Sequence, residues 1–68
     1  MDADALNMSI RKFLKHVGVH SQREIEAAVQ RALDAGKLKG DETLHATMTL
    51  TIAGVDLQVA FDDDIRLA

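Results

Sequence analysis

Val17-Gly18-Val19-His20-Ser21-Gln22-Arg23-Glu24-Ile25 is the stretch on which the reading of the fold turns. Gly18 supplies the left-handed residue that commonly ends a helix. Ser21 and Glu24 have the spacing of a capping box, in which a Ser hydroxyl and a Glu carboxylate each satisfy the other's backbone N–H. Taken together they close one helix and open another within a few residues. Before the break, Leu6, Ile10, Phe13, Leu14 and Val17 recur at i, i+4, i+7, i+8 and i+11, which is one face of an α-helix. Asp2 or Asp4 can cap its start, so a first helix is predicted over residues 4–17. After the break, Ile25, Ala28, Val29, Ala32 and Leu33 mark a second helix over 22–35, stopped by Gly36. Lys37 and Lys39 lie just past its negative end.

Beyond Gly40 the apolar period changes from 3.6 to 2. Leu44, Ala46, Met48, Leu50 and Ile52 alternate with His45, Thr47, Thr49 and Thr51, and Val55, Leu57, Val59 and Phe61 alternate after Ala53-Gly54. Two strands, 44–52 and 55–61, are predicted. If Ala53-Gly54 is a two-residue loop, Ile52 faces Val55, Leu50 faces Leu57, Met48 faces Val59 and Ala46 faces Phe61, all on one side. The other side then sets Thr51 against Asp56, Thr49 against Gln58 and His45 against Asp62. Ala53 resists the positive φ of a type I′ turn, which leaves the turn type open. Asp62-Asp63-Asp64 ends the second strand by charge, and Ile65 and Leu67 fit a short third strand or a docked tail. The expected architecture is α+β, ααββ: one domain over 1–68, two amphipathic helices on the apolar face of an antiparallel hairpin.

Sixty-eight residues lie near the lower limit for an independently folding domain. With no cysteine, neither a disulfide nor a Cys-based zinc site can reinforce a small core. The apolar runs fall short of the roughly 20 residues that span a bilayer, and the acidic start Met1-Asp2-Ala3-Asp4 is unlike a secretory signal. A cytoplasmic protein is the expectation. Charge is distributed unevenly: residues 1–40 hold seven Lys/Arg against five Asp/Glu, whereas residues 41–68 hold Arg66 alone against six acids.

The signatures of catalysis do not assemble. His16 and His20 have the four-residue spacing of paired metal ligands, but the predicted break between them removes the shared helical face. Asp62–Asp64 lack the oxygen spacing and turn glycine of a calcium loop. Ser21 is explained by capping, and Ser9 has no glycine elbow. Gly36-Lys37-Leu38-Lys39-Gly40 has a faint likeness to a phosphate loop, without the Walker spacing and after a helix instead of before one. No catalytic residue, metal site or cofactor is expected, and the chain reads as a non-enzyme.

Interaction is the remaining class. Two helices, a corner and a hairpin suggest a winged helix-turn-helix, but helix two turns Glu24, Glu26 and Asp34 outward against Arg23 and Arg31, the wrong sign for DNA phosphates. Nucleic acid, held by the basic face of helix one, is therefore the second choice. The first is a protein partner or a second copy, bound by Met8, Arg11, Lys12 and Lys15, which project opposite the apolar stripe. A flexible exposed thioether framed by cations suits an adaptable protein contact.

The segments Asn7–Leu14, Val17–Val19, Ser21–Ile25, Gly36–Gly40 and Met48–Ile52 together resemble a family of short bacterial proteins classed as a domain of unknown function. The likeness covers most of the chain and weakens after Gly54. It implies a bacterial, cytoplasmic protein and brings no activity, ligand or catalytic residue.

Overall fold

The computed structural model describes residues 1–68 and runs helix, strand, 3-10 turn, strand: α1 Ala3–Asp34, β1 Thr43–Ile52, a 3-10 turn Ala53–Val55, and β2 Leu57–Arg66. The chain forms two compact units, Met1–Lys37 and Leu38–Ala68. The fold is α+β, but with one helix where the sequence predicts two.

The first unit is a 32-residue helix, about 48 Å long at 1.5 Å per residue. Asp2 is its N-cap, accepting from the Asp4 and Ala5 amides at 3.0 and 3.1 Å, and Asp4 adds negative charge in the first turn. The expected break does not occur: Gly18 and Ser21 both lie inside the helix. Ending a helix there and starting another would strand up to four carbonyls and four N–H groups, of which a Ser-Glu box satisfies two. Continuing costs only the glycine's extra backbone entropy, about 1 kcal/mol relative to alanine. The apolar stripe also carries through in phase. Leu6, Ile10, Leu14, Val17, Ser21, Ile25, Ala28 and Ala32 follow one another at intervals of four, four and three, an 11-residue rhythm close to the helical period. Ser21 therefore occupies a half-buried place on that stripe instead of a cap. Side-chain bonds one turn apart, Gln22 Nε2 to Glu26 Oε1 and Gln30 Nε2 to Asp34 Oδ1 (both 2.9 Å), reinforce the second half.

The stop at Gly36 is as predicted. Gly36 adopts φ +74°, the Lys37 amide donates to Ala32 O at 2.8 Å, and the Gly36 amide donates to Leu33 O at 3.0 Å. That pair of bonds is a Schellman motif, which needs a left-handed residue where Gly36 stands.

The second unit is built on an antiparallel hairpin. Its register differs from the expected one by two residues: Ile52 faces Leu57, Leu50 faces Val59, Met48 faces Phe61, Ala46 faces Asp63 and Leu44 faces Ile65. The loop has four residues, Ala53–Asp56, and its single left-handed position falls on Asp56 (φ 52°, ψ 38°). A two-residue type I′ loop would force positive φ onto Ala53, which L-alanine resists; Asp tolerates it. A shift of two preserves the side-chain faces, so the alternation could not distinguish the registers. The expected third strand is the end of β2. The three aspartates do not terminate that strand: Asp62 lies opposite Thr47 and Asp64 opposite His45 on the polar side, and Ile65 pairs with Leu44. One further bond, Leu67 N–H to Glu42 O at 2.9 Å, extends the ladder.

Neither unit encloses a fully buried side chain. The half-buried apolar residues are Val17, Val29, Ala32 and Leu33 on α1, and Leu38, Leu44, Ala46, Leu50, Val59, Ile65 and Leu67 in the second unit.

The continuous helix makes opposite forecasts for two glycines. A Cβ on Gly18 meets nothing within 4 Å, so Gly18→Ala should stabilise the protein by about 1 kcal/mol and raise its helicity. Gly36→Ala, at a left-handed position, should destabilise by about 1 kcal/mol. Thermal melts followed by circular dichroism check both signs; a helix ended at Gly18 would make both variants less stable.

Candidate functional site

The four residues singled out from the sequence do share a face. Met8, Arg11, Lys12 and Lys15 all lie within α1 and are exposed, Met8 to 71%. At 3.6 residues per turn they span an arc of about 100°, centred opposite the Leu6–Ile10–Phe13–Val17 stripe. The unbroken helix adds a residue that lies between the two predicted helices: Val19 projects from this same face, three turns beyond Met8, and is 40% exposed. Arg23 follows one turn later on its flank. The face is thus two exposed apolar side chains among four cations, bounded by a carboxylate at each end, Asp4 one turn before Met8 and Glu26 one turn beyond Arg23.

Continuity also restores the face shared by His16 and His20. Their ring centroids are 4.3 Å apart with planes at 47°, and His20 Nδ1 lies 2.8 Å from the His16 carbonyl oxygen. The premise that a helix break separates them is therefore overturned. No third metal-ligating side chain joins them, and no group of three or more His, Cys, Asp or Glu is placed to hold a metal ion. The i, i+4 contact and the bond back to the helix carbonyl explain the pair as local helix structure.

A second polar cluster occupies the open end of the hairpin. His45 Nε2 is 3.3 Å from Asp62 Oδ1 and His45 Nδ1 is 3.5 Å from Asp64 Oδ1, so the ring sits between its directly opposite and its diagonal neighbour. Thr47 Oγ1 donates to Asp62 Oδ1 at 2.6 Å. Asp63, on the other side of the strand, accepts from the Asp64 amide at 2.8 Å. All of these side chains are exposed, and exposed pairs of this kind contribute at most about 1 kcal/mol each. They hold the acidic run inside the strand. The cluster thus holds one imidazole between two exposed carboxylates on the polar side of the hairpin.

The likeness of Gly36–Gly40 to a phosphate loop has a structural explanation. The amides of Lys39 and Gly40 point at one anion, and that anion is the chain's own Glu42: Lys39 N–H to Oε2 at 2.8 Å and to Oε1 at 3.1 Å, and Gly40 N–H to Oε1 at 2.9 Å. Gly40, at φ +111°, turns the backbone so that successive N–H groups converge. These bonds, Lys39 first and Gly40 second, hold the Glu42 carboxyl below its ordinary pKa. The loop is an internal anion nest that positions the start of β1.

A family model described as "Family of unknown function (DUF6494)" matches residues 1–68, including the part beyond Gly54. No curated protein and no solved structure matches the chain. No helix is long and apolar enough to cross a membrane.

The nest predicts a pH dependence whose sign follows from the lowered pKa. A carboxyl with a depressed folded pKa contributes stability that is complete above its unfolded value, about 4.3, and is lost as pH falls through the folded value. Glu42→Gln should therefore be less stable than the parent at neutral pH, and the gap should close as pH falls below about 4. Denaturant titrations of both proteins across the acid range check it; a gap independent of pH would mean that the charge contributes nothing.

Proposed function

Since the chain belongs to DUF6494, a family of unknown function, we propose a role from its own surface: a non-enzymatic interaction module of the bacterial cytoplasm that binds an acidic protein partner through the outer face of α1. The observation that carries this reading is the grouping of Met8, Arg11, Lys12 and Lys15 on one exposed face of a continuous helix, prolonged by Val19. The cations select acidic surfaces and speed encounter, while Met8 and Val19 supply apolar contact that a purely solvated face does not need. A long helix holds these side chains in fixed relative positions, so little order has to be gained on binding. The winged-helix alternative loses its corner, because a helix-turn-helix needs a turn and α1 has none.

The test is a comparison of the parent with a variant carrying Met8→Ser, Arg11→Gln, Lys12→Gln and Lys15→Gln. Every substituted side chain is exposed, so the helical signal should remain. Proteins retained by the parent from a nuclease-treated lysate should be lost from the variant, with affinity down by about tenfold or more and a weaker salt dependence. Equal retention by both would make the face ordinary solvent surface. Retention that disappears with nuclease treatment would assign the cations to nucleic acid instead.

A further inference from the structure

The two edges of the hairpin are unequally protected. A sheet edge offers unpaired N–H and C=O groups to any other strand, and proteins blunt such edges with charge, proline, bulges or short length. β2 carries Asp62, Asp63, Asp64 and Arg66. β1 has none of these devices. From Ala46 to Val55 there is no charged residue, the chain contains no proline, and the strand pairs with β2 through ten consecutive residues without a bulge. Its polar side in this span is Thr47, Thr49 and Thr51, β-branched residues that favour extended backbone. A two-stranded ribbon is also marginal by itself, and Met48 and Phe61 stand 44% and 60% exposed on its apolar side.

We infer that β1 pairs antiparallel with β1 of a second copy, joining two hairpins into a four-stranded sheet of order β2–β1–β1–β2. Charge decides which edge is used. Pairing through β2 would bring six aspartates into adjacent strands about 5 Å apart. Pairing through β1 leaves the two acidic runs on opposite outer edges, three strand spacings or about 14 Å apart, beyond the Debye length of about 8 Å at physiological salt. A second copy also always presents the same uncharged strand, and a twofold contact of this kind closes on itself as a dimer. Side-chain parity restricts the register further. Directly opposite residues point to the same side of a sheet, so both apolar faces coincide only if the twofold axis passes beside a single residue. Maximal overlap of Thr43–Ile52 with itself puts that residue at Thr47 or Met48. This inference does not depend on the α1 face, and neither reading stands or falls with the other.

Sedimentation of the full chain should show a concentration-dependent species of twice the 7.4 kDa chain mass. Thr47→Lys with Thr51→Lys should weaken that dimer by about tenfold or more, since each strand then presents cations to its twin. Lys at position 47 would face Asp62, which preserves a cross-strand partner within the hairpin. The chain has no cysteine, so Thr47→Cys introduces a single thiol. In either register the two introduced thiols sit on backbones within about 10 Å of each other, so a short bis-maleimide should cross-link Thr47→Cys efficiently and Gln58→Cys, on β2, poorly. The cross-link reports on an otherwise intact hairpin even if the double lysine variant fails to fold. A monomer at all concentrations up to about 1 mM would overturn the inference. So would efficient cross-linking through Ile10→Cys with none through Thr47→Cys, which would place the contact on the helix.

Discussion

The uninterrupted i→i−4 ladder of α1 is the constraint on which the rest of the first unit depends. Every side-chain position along Ala3–Asp34 is set by a single helical phase, so residues eleven apart share a bearing on the surface. That phase places Val17, Ser21, Ala28 and Ala32 in one line and Met8, Val19 and their flanking cations in another. A corner at Gly18 would have given the two halves independent bearings and would have separated Met8 from Val19. The ladder holds because the glycine's cost is smaller than the cost of leaving two sets of helix-end groups unsatisfied.

The second unit is held by backbone pairing and by local anion handling. β2 carries an acidic run that intrinsic strand preference would exclude, and it tolerates that run because each carboxylate has a neighbour to accept from or pair with. The same economy operates in the approach to β1, where Glu42 gathers the amides that a glycine-containing turn would otherwise leave open. In both places an acidic residue does structural work that resembles a binding site in the bare sequence. Two of the surfaces left without an internal partner carry the proposed contacts: the mixed cationic and apolar face of α1, and the uncharged edge of β1. These present different chemistry, cations and apolar side chains on one and unpaired strand backbone on the other.

The residue pattern alone determined that residues 4–17 and 22–35 are helical, that a two-stranded hairpin follows, which side of each element is apolar, that Asp2 or Asp4 opens the helical region and that Gly36 closes it. It also determined that Met8, Arg11, Lys12 and Lys15 lie together, because all four fall within four turns of helix under either reading. These features follow from local rules whose signals agree with one another. What the three-dimensional structure decided were the contests between local signals of similar size. Gly18 and the Ser21-Glu24 pair imitate a helix boundary, and only the ladder running through them shows that they are interior positions. That one decision also brings His16 onto His20 and sets Val19 on the same bearing as Met8, three turns along the helix. Registers differing by two residues share the same alternation of faces, so the pairing of Leu50 with Val59 is settled by which loop residue accepts a left-handed backbone, Asp56 more readily than Ala53. Periodicity reports which side a residue faces; the partner it meets there depends on the geometry of the whole turn.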